Sequence, residues 1–211
     1  FCSGNTGTIG SAPVSGYAYQ WTPPSGLASP TASLSLITLF NNDTITDTLN
    51  YSVTATVGAC STSDTVRVLV YTLPIVDAGT DVFFCSGSSD TIGSASIGGY
   101  TYQWSPSTGL SNPNISNPVV LLTNPLIPND TTTYIVTVTT GFGCIDRDTV
   151  NVVVNHLPVS NAGSDTSFCS GNTGTIGSAP VSGYAYQWTP PTGLASPAAS
   201  LSLITRSNND T

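Results

Sequence analysis

Phe84-Cys85-Ser86-Gly87, followed by Thr91-Ile92-Gly93-Ser94 and then by Gly99-Tyr100-Thr101-Tyr102-Gln103-Trp104, is the stretch around which the whole chain is organised. The same words stand at Phe1-Cys2-Ser3-Gly4 with Gly16-Tyr17-Ala18-Tyr19-Gln20-Trp21, and at Phe168-Cys169-Ser170-Gly171 with Gly183-Tyr184-Ala185-Tyr186-Gln187-Trp188. Cys2 and Cys85 lie 83 residues apart and Cys85 and Cys169 lie 84 apart, so the chain reads as an array of modules of that size. Residues 168–211 repeat residues 1–44 at 40 of 44 positions while the middle copy diverges from both, an A-B-A order. The expected boundaries are 1–72 for a module lacking its first strand, 73–155 for a complete module, and 156–211 for one truncated on its C-terminal side. The chain begins without Met and breaks off within a copy, which reads as a slice of something longer.

Composition names the class. There is no Lys, Glu or Met, while Thr, Ser, Val, Gly, Pro and Asn abound, so good helix formers are scarce and strand and turn formers are in excess. An all-β fold follows. Three Arg against 11 Asp give a net charge of −8, which argues against a nucleic-acid partner because little could neutralise phosphates. No stretch approaches the roughly 20 apolar residues of a membrane span, so membrane insertion is not expected. A module of about 83 residues buries only about two-thirds of its unfolded surface, so an extra fastening is expected.

Alternation of apolar and polar residues places the strands. Ser33-Leu34-Ser35-Leu36 reads as half-buried with Leu34 and Leu36 inward, and Tyr51–Val57 and Thr65–Tyr71 alternate likewise. Asn117–Leu122, Thr132–Thr139 and Asp148–Val154 repeat that order in the middle module. Short strands with turns between them, one Trp and a late Tyr per module describe an immunoglobulin-type Greek-key sandwich. Trp21, Trp104 and Trp188 are the expected core anchors, with Tyr51 and Tyr134 as candidate tyrosine-corner residues. Tyr100, Tyr102 and Trp104 share one face of their strand, which suits a core better than a sugar platform.

The cysteines follow the repeat. Even counts at matched spacing predict one disulfide per module, Cys2–Cys60 and Cys85–Cys144, near one end of each sandwich and in an oxidising compartment; Cys169 then has its partner outside the chain. A metal reading is weak, since there is no CxxC and His156 is the only imidazole. Asp77, Asp81 and Asp146 are candidate calcium ligands at the module joint, against the alternative that they cap turns. No other cofactor is expected. A hydrolytic triad lacks its His, and of the pair Asp146 and Asp148 only the second has a counterpart in the first module, so no enzyme is expected.

The string Ala78-Gly79-Thr80-Asp81, Phe84-Cys85-Ser86-Gly87, Tyr102-Gln103-Trp104-Ser105-Pro106, Thr133–Val138, Gly143-Cys144 and Asp148–Val152 resembles the PKD-like and Ig-like repeats in large secreted surface proteins of Bacteroidota. PKD domains proper carry Phe-Gly-Asp-Gly after the Trp, where this chain has Ser105-Pro106-Ser107-Thr108-Gly109. The resemblance implies type IX secretion, an extracellular cell-surface location and service as a filament or adhesin stalk. Neighbouring modules of the same or identical chains are the implied partners, and surface glycans are the partners if it is instead a glycan-binding module. Of the 11 Asp, 8 precede Thr, which resembles the Asp-Ser/Thr-apolar sequence that such organisms O-glycosylate. Thr44, Thr48, Thr65, Thr91, Thr131 and Thr149 are the candidate acceptors; the plainer reading is an Asp/Thr turn entering a strand.

Overall fold

A computed structural model describes residues 1–125 and 128–207. Among them there are thirteen strands and no helix: β1 Thr6–Gly10, β2 Ala18–Thr22, β3 Leu34–Thr38, β4 Asp47–Val57, β5 Cys60–Val70, β6 Val82–Cys85, β7 Ser89–Thr91, β8 Thr101–Ser105, β9 Val119–Leu121, β10 Asp130–Thr139, β11 Ile145–Asn155, β12 Thr173–Gly177 and β13 Leu201–Thr205. Phe1–His156 forms one compact unit, and a second begins at Leu157.

The first unit holds two Ig-like sandwiches, each with its own core. In the first, the pair β1-β3 faces the sheet β2-β4-β5, and Ile9, Trp21, Ile37, Tyr51, Val68 and Val70 fill the space between. In the second, β7-β9 faces β6-β11-β10-β8 over Ile92, Trp104, Val120, Tyr134, Val152 and Val154, joined by Phe84, Val136, Val138, Val150 and Ala78. These two sets of six correspond at an offset of 83 for the first four and 84 for the last two. The extra residue falls in the second hairpin turn. Burying a side chain of Val or Ile size contributes about 1.5–3 kcal/mol, so each set is a sufficient reason for its sheets to face each other.

Local geometry holds each Trp in place. The Trp21 and Trp104 indole N–H groups donate to Ala32 O at 2.8 Å and Ile115 O at 2.9 Å, so each ring is buried without an orphaned donor. Gly93, at φ +84°, lies beside this ring: a Cβ there would stand 2.0 Å from Ser116 O and 2.9 Å from the Trp104 ring. Only glycine satisfies both the backbone angle and the space.

The strand at Leu34 runs in the opposite sense to the expected one. Ser35 and Ile37 point inward and Leu34 and Leu36 outward, at 50 % and 54 % exposure. The apolar run Leu36-Ile37 fits either register, and Ile37 wins the core because the Ser35 hydroxyl can be satisfied locally, by Ser29 N at 3.1 Å and Leu36 O at 3.1 Å. Val119 and Leu121 on β9, and Leu201 and Leu203 on β13, are exposed in the same way.

In the second unit β12 pairs with β13 in the register of β1 with β3. Trp188 donates to Ala199 O at 2.8 Å but stays only half-buried.

Candidate functional site: the joint between the sandwiches

Pairing of strands decides where the cysteines go. β6 runs parallel to the C-terminal end of β11, with Cys85 opposite Asn155, whereas Cys144 precedes the other end of that strand. The 11 residues from 144 to 155 span about 36 Å at a strand's rise. Cys2 likewise bridges Tyr71, past one end of β5, and Cys60 begins the other. Disulfides need Cα atoms within about 7 Å, so the expected pairs Cys2–Cys60 and Cys85–Cys144 are both excluded.

The bond that forms is Cys2–Cys144, with a Cα–Cα distance of 5.5 Å and a sequence separation of 142. It joins Cys2, which precedes β1 and lies beside the end of β5 in the first sandwich, to the β10-β11 turn of the second, so it fastens neighbours instead of closing either one. In the chain-entropy model a loop of that length contributes about 5 kcal/mol. Cys144 is fully buried and Cys2 nearly so. Beside them the Tyr71 and Phe142 rings stack at 4.2 Å and 12°, a contact of the kind that adds about 0.5–1.5 kcal/mol. Sequence spacing alone could not find this pairing, because it gave each cysteine a partner in its own module. Cys60, Cys85 and Cys169 are exposed free thiols.

The carboxylates proposed for calcium are not brought together. Asp81 accepts Asn151 N at 2.8 Å and Asn151 Nδ2 at 3.1 Å, bonds that hold its carboxyl below the usual carboxylate range, the backbone amide most of all. Asp77 accepts Gly79 N at 2.9 Å and Asp146 accepts Arg147 N at 2.8 Å. Asp146 and Asn151 are five residues apart on one strand, about 17 Å. No group of three His, Cys, Asp or Glu side chains that could hold a metal occurs among the described residues.

Those bonds show what most of these acids do. On the free edge of β11 the amides of Arg147, Thr149 and Asn151 are accepted by Asp146, Asp148 and Asp81, and β6 covers the rest. Asp148 also accepts Ala78 N at 2.9 Å, which pins the inter-sandwich segment to the strand. Asp64 and Asp90 accept the amides of Thr65 and Thr91 in the same way. A carboxylate on an outward amide removes the donor an incoming strand would use. Six threonines, Thr44, Thr48, Thr65, Thr91, Thr131 and Thr149, are all exposed; the Asp-Thr pair at Asp210 lies outside the described residues.

Tyr51 and Tyr134 donate to Ser25 O at 2.8 Å and Thr108 O at 2.5 Å, bonds that reach back 26 residues. Burial pushes both phenols above their ordinary value, with a Ser25 hydrogen bond partly offsetting it at Tyr51. Tyr100 and Tyr102 pack, partly buried, against the second core, and the Tyr102 hydroxyl accepts Ile97 N at 2.8 Å. His156 lies just past β11, and the Asp146 and Asp148 carboxylates accept backbone amides.

No protein-family model matches the chain, and no curated protein matches it. Among solved structures it is similar to DIP-gamma IG1+IG2, with a TM-score of 0.37 and 11 % identity over 74 % of this chain and 93 % of that one. It is also similar to an I-band fragment of titin, at 0.39 and 12 % over 99 % and 85 %, and to mouse cadherin-23 EC22-24, at 0.34 and 15 % over 92 % and 76 %. The likeness is one of fold. No helix among the described residues is long and apolar enough to cross a membrane.

Proposed function

We propose that the chain is a structural repeat region of an extracellular cell-surface filament or adhesin stalk, without catalysis. The observation that carries this is the joint: Cys2–Cys144 and the Tyr71–Phe142 stack connect consecutive sandwiches, a use of covalent chemistry suited to setting reach and stiffness. Carboxylates on the β11 edge support it too, since a surface array must resist adventitious strand pairing. Disulfides suit an oxidising, extracellular setting. The Ig-like and cadherin-like neighbours fit a structural or adhesive role, and the PKD-like repeats of Bacteroidota surface proteins, with their type IX secretion, are the family this reading favours. O-glycosylation at the exposed Asp-Thr threonines belongs to it as well.

A second reading, a glycan-binding module, rests on a groove of about 470 Å³ lined by Tyr100, Tyr102, Gln103, Asn114, Thr137 and Thr139. Immunogold imaging of the cells that make the protein, run beside a glycan array, separates the two. Label along ordered fibres with a silent array supports the stalk; diffuse label with saturable glycan binding overturns it.

A further inference from the structure

Tension along a chain follows the shortest covalent route between the points where it is applied, and the Cys2–Cys144 bond shortens that route. Cys2 precedes β1, and Cys144 stands immediately before β11, the last strand of the first unit. A pull applied before Cys2 and after Asn155 therefore crosses the two sulfur atoms, enters β11 and leaves at its far end. Residues 3–143, which hold every strand from β1 to β10 and most of both cores, hang from that route as a closed loop.

β11 itself has little length to give. Its 11 residues already rise about 3.4 Å each, against a limit of about 3.6 Å for a fully extended chain. Pairing with β10 along its length and with β6 at its end holds it in that state.

Without the bond the route is different. Cys2 lies side by side with Tyr71, and β6 lies beside the far end of β11, so the chain enters and leaves each sandwich on neighbouring stretches. Tension would then act on these short parallel pairings, through bonds such as Ser3 N to Tyr71 O at 2.8 Å and Ser86 N to Asn155 O at 2.7 Å. Opening them would release about 250 Å of chain from each sandwich.

We propose that Cys2–Cys144 and β11 form a covalent bypass that carries tension past both sandwiches and leaves them folded under load. This deepens the stalk reading, on which the presence of tension rests; the route itself depends only on the bond and the strand. Cys144 is fully buried and the Tyr71–Phe142 stack lies beside it, which shields the bond from reductants.

The test stretches the full chain between handles fused to its two ends, with the exposed thiols capped by N-ethylmaleimide. The oxidised chain should lengthen by no more than residues 157–211 allow, about 190 Å. Adding a water-soluble phosphine at constant force should then free the 142-residue separation between the cysteines, about 500 Å. That length should arrive in two steps of about 250 Å, because each core is still folded when the load reaches it. Cys2→Ser with Cys144→Ser should give the same two steps from the first pull; if that variant does not fold it extends without steps, and the phosphine arm decides. A gain beyond about 190 Å before reduction, or release of the whole 500 Å in one jump, would overturn the proposal. The readout is a length in an isolated chain, so its failure is distinguishable from that of the stalk reading, which the imaging of cells tests.

Discussion

Phe1–Thr44 and Phe168–Thr211 are nearly the same sequence, 40 of 44 residues, yet they end in different states. Both form the small sheet in one register, and in both the Trp indole donates at 2.8 Å and a Tyr hydroxyl accepts the amide five residues upstream. What differs is Ala18–Thr22 against residues 185–189. The first is strand β2 with Trp21 at 2 % exposure; the second pairs with no strand among the described residues, and Trp188 is half-buried. β2 pairs with β4, which in turn pairs with β5, whereas residues 185–189 pair with no strand among the described residues. Local sequence thus sets the small sheet and its turns, while the long hairpin is what closes the core over the Trp.

The sharpest way to break this comparison is at its cysteines. Cys2 and Cys169 stand in identical contexts, but only Cys2 is bonded. Cys2→Ser should lower stability by up to about 5 kcal/mol in the chain-entropy model, seen as an earlier denaturant midpoint, and Cys169→Ser should leave it unchanged. Equal effects would mean that the Cys2–Cys144 bond does not form. Next come the tryptophans. Trp21→Ala, at a closed core, should cost about 3–5 kcal/mol, and Trp188→Ala distinctly less, because the site it vacates is already open. Chemical denaturation followed by tyrosine fluorescence distinguishes them; equal costs would show that the second unit is as well packed as the first.

How much of this was legible in the sequence follows the same division. The all-β class and the cores over Trp21 and Trp104 were readable, because alternation is a property of the chain itself; Trp188, expected in the same role, is only half-buried. Tyr51 and Tyr134, expected as tyrosine-corner residues, are buried, and their hydroxyls reach 26 residues back instead of a few. The disulfide was not readable. Matched spacing says that two cysteines belong to one pattern, but only the parallel pairing of Cys85 with Asn155 reveals that they sit at opposite ends of a strand. Leu34 and Leu36 misled because an apolar run carries two registers, and a Ser hydroxyl with local partners can take the inward place. The Asp-Thr bias was visible without its main structural use: Asp64, Asp90 and Asp148 hold the amide of the following Thr on free strand edges.

The smallest expected effect concerns the two buried phenols of the first unit. Burial raises the folded-state values of Tyr51 and Tyr134 above the unfolded value near 10. The neutral form is therefore favoured by folding: its contribution is fully present below about pH 10 and is lost as pH rises through the folded values. Thermal unfolding of the first unit, followed by near-ultraviolet circular dichroism from pH 7 to 11, should fall only above that point. Tyr51→Phe with Tyr134→Phe should flatten this alkaline limb. Each change also strands a backbone carbonyl, Ser25 O or Thr108 O, at a cost of about 1 kcal/mol at neutral pH. A limb that persists in the double variant would place the alkaline sensitivity elsewhere than on the two tyrosines that the hairpin strands β4 and β10 bring into the cores.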